Sequence, residues 1–162
     1  MKKYLLLVAI LFASCAEQKQ EPKTAGYSIR GEEESYMIGS DETTDFIRKW
    51  ADAHNERDME SILSMEKADI KIELPDGTVI NGQDEHSKVL ESFFANNVTW
   101  KPYWMLPYNS VVAKEKWVIA GFALTSNVDG EENVVLHMGD IQLEDGLVSR
   151  IIVYENQRPK KQ

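Results

Sequence analysis

The chain has a single cysteine, Cys15, in 162 residues. No disulfide can form within it, so whatever folds must hold by packing alone. No apolar run reaches the roughly 20 residues that a bilayer-spanning helix needs. The run Tyr4–Ala13 stops well short of that. Positive charge is scarce: 18 Lys and Arg stand against 27 Asp and Glu, for a net charge of −9. An acidic surface repels phosphate backbones, which sets nucleic acid aside as a partner. There is no Gly-rich phosphate loop and no Gly-x-Ser-x-Gly motif. Of the three histidines, His54, His86 and His137, no two have ligand spacing such as His-x3-His. Neither a metal nor another cofactor is expected from spacing alone.

The segment ahead of Cys15 has the layout of an export signal. Lys2 and Lys3 are followed by the apolar stretch Tyr4–Ala13, and then by the small residues Ala13 and Ser14. The junction Phe12-Ala13-Ser14-Cys15 resembles a bacterial lipobox, with Phe12 in the place of the usual Leu. That resemblance implies cleavage before Cys15 and a lipid-carrying cysteine as the new first residue. Several acyl chains on one residue hold a protein at a bilayer, where one chain is marginal. The implied location is the bacterial cell envelope, on a membrane through the Cys15 lipid. Residues 1–14 are the leader on this reading. Residues 15–40 are polar and aperiodic, with the acid run Glu32-Glu33-Glu34, and read as a flexible tether. Within it the island Tyr36-Met37-Ile38 can dock on the domain. Residues 41–156 form the folded domain, and 157–162 a frayed tail.

Thr43 or Thr44 can open a first helix with an apolar stripe of Phe46, Ile47, Trp50 and Ala51. Asp58 caps a short second helix. The period then changes to two over Ile70, Ile72 and Leu74, which alternate with Asp69, Lys71 and Glu73. Pro75-Asp76-Gly77 turns the chain back through Thr78-Val79-Ile80. A third helix carries Val89, Leu90, Phe93 and Phe94. Four strands follow, near 98–108, 111–126, 133–143 and 147–155. The predicted order is α-α-β-β-α-β-β-β-β. Three helices cover such a sheet only if it curls around them, which gives an α+β fold: a curved antiparallel sheet, a cone-shaped, cystatin-like roll with an internal cavity.

This layout resembles the nuclear transport factor 2-like superfamily, which includes SnoaL-like polyketide cyclases and ketosteroid isomerase. The resemblance rests on Phe46–Trp50 through Asn55-Glu56-Arg57-Asp58, on Ile72–Gly77 followed by Asn81-Gly82, and on the hairpin Glu144-Asp145-Gly146-Leu147-Val148. It implies three acid/base positions for isomerase chemistry. Counted onto this chain they fall at Trp50, Leu74 and Gly139, none of which can exchange a proton as required. A one-residue slip brings in Glu73 or Asp140.

His137 shares a strand face with Val135, Gly139 and Ile141, so it is either a base in an apolar pocket or a core histidine bonded to a carbonyl. His54 closes the first helix and either reaches the pocket mouth or, the commoner role, partners the helix C-terminus. His86 lies on a polar helix face and reads as solvated. The stretch Trp100–Tyr108 is dense in aromatics that either stack on a ligand or pack as core. Pro102 and Pro107 make that strand bulged or an edge, and either of its faces can meet the cavity. Strands 117–124 and 151–154 are apolar on both faces, which predicts a cover for the outer face. A homodimer through that face is one solution, and a folded-back tether is another.

Three functions fit. The first is binding of a small apolar or amphipathic molecule without turnover, in a pocket of Trp50, Ile72, Leu74, Phe93, Tyr103, Trp104, His137 and Tyr154. The second is an isomerase, cyclase or hydrolase with a relocated acid/base residue at His137, Glu73 or Asp140. The third is a protein-interaction module with a filled core.

Overall fold

A computed structural model describes residues 24–27, 34–128 and 130–156. The leader, Cys15 and the tail 157–162 lie outside the described residues, as does part of the stretch read as tether.

Helix α1 (Asp41–Glu56) forms because Ile47, Trp50, Ala51 and His54 recur on one face, and all four are buried. It starts three residues before Thr44, with Ser40 at the N-cap position and Asp41 and Glu42 in the first turn. Those acids suit the positive end of the helix dipole. The Thr44 hydroxyl donates back to the Asp41 carbonyl at 2.7 Å instead of capping. Arg57 ends the helix in a left-handed conformation, φ 60°. Its guanidinium donates to the Phe94 carbonyl at 3.1 Å and to Asn97 Oδ1 at 3.2 Å. Asp58 does cap α2 (Met59–Ser64), accepting from the Ser61 N–H at 3.0 Å.

Strands β3 (Glu66–Glu73) and β4 (Val79–Asn81) form the expected hairpin, with Ile72 opposite Ile80. Helix α3 (Gly82–Ala95) follows, and then β5 (Thr99–Ser110), β6 (Lys116–Val128), β7 (Glu131–Glu144) and β8 (Leu147–Asn156). Two further strands precede α1: β1 (Gly26–Tyr27) and β2 (Ser35–Ile38). The sheet is curved and unclosed, in the order β1-β2-β5-β6-β7-β8-β3-β4. It is mixed, not wholly antiparallel. The last strand of the meander returns beside β3 running the same way, so β3 and β8 pair in parallel, with Ile72 opposite Ile151.

β1 and β2 lie inside the stretch read as tether. Tyr36-Met37-Ile38 pair with β5, Ile38 opposite Tyr108. The edge of β5 offers unpaired backbone groups, and Glu34 fixes the approach. Its carboxylate accepts from the N–H groups of Val111, Val112 and Ala113 at 2.8–2.9 Å. A glutamate in an acid run thus works as a backbone clamp, which composition does not reveal.

The inner face of the sheet packs on the helices through Val118, Ala120, Phe122, Ile141 and Ile151, against Ile47, Ile62 and Leu90. The outer face is also apolar, with Trp104, Leu106, Met138 and Tyr154 exposed. A bulge decides which aromatics point there. Pro102 pairs with Phe122 and Trp104 with Gly121, which leaves Tyr103 as an extra residue. Both the Tyr103 and Trp104 rings then press on the bare Cα of Gly121, where any Cβ would collide with them.

Candidate functional site

A cavity of about 90 Å³ lies between the inner sheet face and helices α1 and α3. That is several times the roughly 10–15 Å³ one water needs on a comparable measure. Its wall is almost wholly apolar. Ile72, Leu74 and Ile80 come from the first hairpin, and Val89 and Phe93 from α3. Trp100, Phe122, Leu124, Gly139, Ile141, Ile151 and Val153 come from the long strands. Trp50, His86 and His137 complete it and, with Trp100, bring side-chain nitrogen atoms to the wall among the described residues.

Of the pocket residues marked in the sequence, Trp50, Ile72, Leu74, Phe93 and His137 meet in this wall. Tyr103, Trp104 and Tyr154 do not. They sit on the outer face, 55%, 40% and 48% exposed. The bulge throws Trp104 off the face it would share with Trp100, and Tyr154 pairs with Met138 on the outer side. The three positions implied for isomerase chemistry, Trp50, Leu74 and Gly139, all line the cavity.

The relocated acids point away from it. Glu73 accepts from Arg150 at 2.7 Å and contacts Lys71 at 2.9 Å. The Lys71 and Arg150 hydrogen bonds hold its carboxyl below the ordinary carboxylate range. Asp140 accepts from the Tyr108 hydroxyl at 2.7 Å. Burial raises its pKa, with Tyr108 opposing. A strand alternates its faces, so Leu74 and Gly139 look inward only if Glu73 and Asp140 look outward. His137 stays at the wall, with Nε2 3.7 Å from a Glu155 oxygen. Burial lowers its pKa although Glu155 pulls the other way.

One group was missed by sequence reading. His54, Glu66 and His86 are 4%, 3% and 2% exposed, and one ligand atom of each lies within 4.8 Å of the others. Glu66 Oε1 accepts from Trp50 Nε1 at 2.8 Å, and Oε2 accepts from His86 Nδ1 at 3.0 Å. His54 Nδ1 donates to the Trp50 carbonyl one turn back, at 2.7 Å. It therefore does not serve the helix C-terminus. Burial drives the His54 pKa down to about 3, helped by nearby His86, so the ring is neutral. Its Nε2, like Trp100 Nε1, is buried without a hydrogen-bond partner among the described residues.

His86 is buried, not solvated, because it stands three, four and seven residues before Val89, Leu90 and Phe93, on the face of α3 that turns to the core, while Asp84, Glu85 and Lys88 take the exposed face. Gln83 Nε2 donates to the carbonyls of Leu63 and Glu66, at 2.7 and 3.0 Å, and draws α3 onto β3. Linear spacing such as His-x3-His detects only sites built on one element. That reasoning does not reach a cluster supplied one residue each by α1, β3 and α3.

No family model matches the sequence, and no curated protein matches it. Solved structures do match in fold. One is a protein from Kribbella flavida assigned as a ketosteroid isomerase, with 18% identity over 78% of this chain and 86% of the other, TM-score 0.61. Another is SalBIII, an epoxide hydrolase/cyclase-like enzyme of pyran ring formation in salinomycin, with 17% identity over 74% and 95%, TM-score 0.63. A third is a nuclear transport factor 2-like protein of unknown function from Cytophaga hutchinsonii, with 15% identity over 74% and 92%, TM-score 0.55. At these identities the likeness concerns architecture, not activity. This chain has the cone-shaped α+β fold of nuclear transport factor 2-like proteins.

Proposed function

We propose that the cone receives a small apolar or amphipathic molecule, in a protein carried to the bacterial cell envelope and held on a membrane by lipid at Cys15. One observation carries the binding half: a cavity of about 90 Å³ with an almost wholly apolar wall between the inner sheet face and the helices. Removing apolar surface from water contributes about 25 cal/mol per Å², so such a wall favours a hydrocarbon-like guest over water. Trp50, Leu74 and Gly139 at the three implied acid/base positions favour binding over isomerase chemistry. The anchoring half is supported by the lipobox-like Phe12–Cys15 alone. A second copy over the outer sheet face belongs to the same reading, supported by the exposed Trp104, Leu106, Met138 and Tyr154.

Turnover is the second reading. The fold neighbours are named as an isomerase and a hydrolase/cyclase-like enzyme, and His137 in the cavity wall stands beside Glu155. An imidazole with a carboxylate behind it can move a proton. Native mass spectrometry of the purified chain tests the primary reading. A dimer carrying a defined small-molecule mass, lost on extraction and regained with toluene or a short-chain alcohol, is expected. A chain that takes up neither probe refutes it and favours the interaction module.

A further inference from the structure

We propose that His54, Glu66 and His86 form a binding site for a divalent transition-metal cation of the zinc class. Each is almost completely buried, and one ligand atom of each lies within 4.8 Å of the other two. Two imidazoles and a carboxylate are a donor set that zinc and its neighbours accept.

The surroundings are those of a ligand set. His54 Nδ1 donates to the Trp50 carbonyl, so its lone pair is on Nε2, and that atom has no partner among the described residues. A metal-bound histidine typically donates its other N–H to a carbonyl or carboxylate in this way, which fixes the tautomer. Glu66 is oriented likewise. Trp50 Nε1 holds Oε1, which directs Oε2 toward His86. The Glu66–His86 hydrogen bond alone explains two of the three residues. It leaves His54 Nε2 buried with its acceptor unused among the described residues, an arrangement that folding opposes. A cation between them employs that lone pair, compensates the buried carboxylate and replaces the proton between His86 Nδ1 and Glu66 Oε2, which is released to solvent on binding. His86 also lines the cavity, so a vacant coordination position would be reachable by a cavity guest.

The proposal stands or falls separately from apolar-ligand binding. The test is a titration of the full chain, stripped with a chelator, with Zn²⁺ in competition with a chromophoric chelator. A parallel titration with Co²⁺ is read by its visible absorption. The expected result is one equivalent bound, with Co²⁺ bands typical of low coordination number and nitrogen ligands. His54→Gln and Glu66→Gln should each weaken binding by about tenfold or more, with folding checked by near-ultraviolet circular dichroism. Glu66→Gln keeps groups able to meet Trp50 and His86, so it reports even if His54→Gln does not fold. Absence of stoichiometric uptake by the unmodified chain overturns the proposal. So does uptake undiminished in a folded variant, which would assign the metal to surface acids.

Discussion

Gly139 offers the sharpest perturbation of the cavity. It lies on β7 in the cavity wall, and its φ is not in the left-handed region. A Cβ there would sit 3.5 Å from Phe122 Cε2 and 3.6 Å from Ile141 Cγ1, ordinary van der Waals contact. Gly139→Ala should therefore stabilise the protein. Lost freedom of the unfolded chain contributes about 0.4–1 kcal/mol, and a newly buried methyl contributes about 0.8 kcal/mol. The sum is about 1–2 kcal/mol, read as a higher urea midpoint at unchanged slope. Gly139→Val adds two methyls beyond the alanine Cβ, and these must extend into the open space. It should remain at least as stable as the parent and lose toluene affinity by about tenfold or more, measured by isothermal titration calorimetry. Two results refute the reasoning. A destabilisation of both variants by about 2 kcal/mol or more would mean that the space is already filled, since overpacking costs about that much. Undiminished toluene binding by a folded Gly139→Val would put the guest elsewhere.

Three other predictions follow from separate parts of the chain. Cys15→Ser should abolish incorporation of labelled fatty acid and release the protein from the membrane fraction; unchanged labelling would refute the anchor. Backbone hydrogen bonds, that from Val112 foremost, hold the Glu34 carboxyl below its ordinary value. A depressed folded pKa contributes stability above the ordinary value of 4.5 that is lost as pH falls through the folded value. Hydrogen exchange should therefore show Val112 and Ala113 losing amide protection in acid below pH 4.5 before the core strands do, and losing it at neutral pH in Glu34→Ala, while Val111, which also donates to the Ser35 carbonyl, keeps more of its own. Leu106→Asp, on the exposed outer face, should convert a dimer to a monomer in sedimentation velocity at unchanged circular dichroism; a dimer that persists argues for another interface.

Much of the fold could be read from periodicity. The stripe through Ile47 and Trp50, the Asp58 cap and the Ile72–Ile80 hairpin all follow from local rules, and local rules are what a single sequence carries. The wall residues Ile72, Leu74 and His137 followed from alternation along strands whose inner face was already implied. The aromatic strand broke that logic. Pro102 removes a ladder donor and so signals irregularity, but where the extra residue falls depends on Gly121 across the ladder, which alone leaves room for two rings. His86 was readable but misplaced: it precedes Val89, Leu90 and Phe93 at helical spacing and so shares their buried face. The polar neighbour Gln83 spends its side chain on the carbonyls of Leu63 and Glu66, a long-range arrangement with no local trace. His54, Glu66 and His86 come from three elements and meet only once the sheet has curled. Glu34 reads as solvated charge until the 111–113 amides are brought to it.

The most direct test of the central claim is a crystal structure of the protein under xenon pressure. Xenon enters apolar cavities without hydrogen bonds and marks them by electron density. The account predicts a xenon site enclosed by Trp100, Phe122, Gly139 and Ile151, with the surrounding side chains unmoved. A core closed by these same side chains, with no xenon between the sheet and α3, would contradict it.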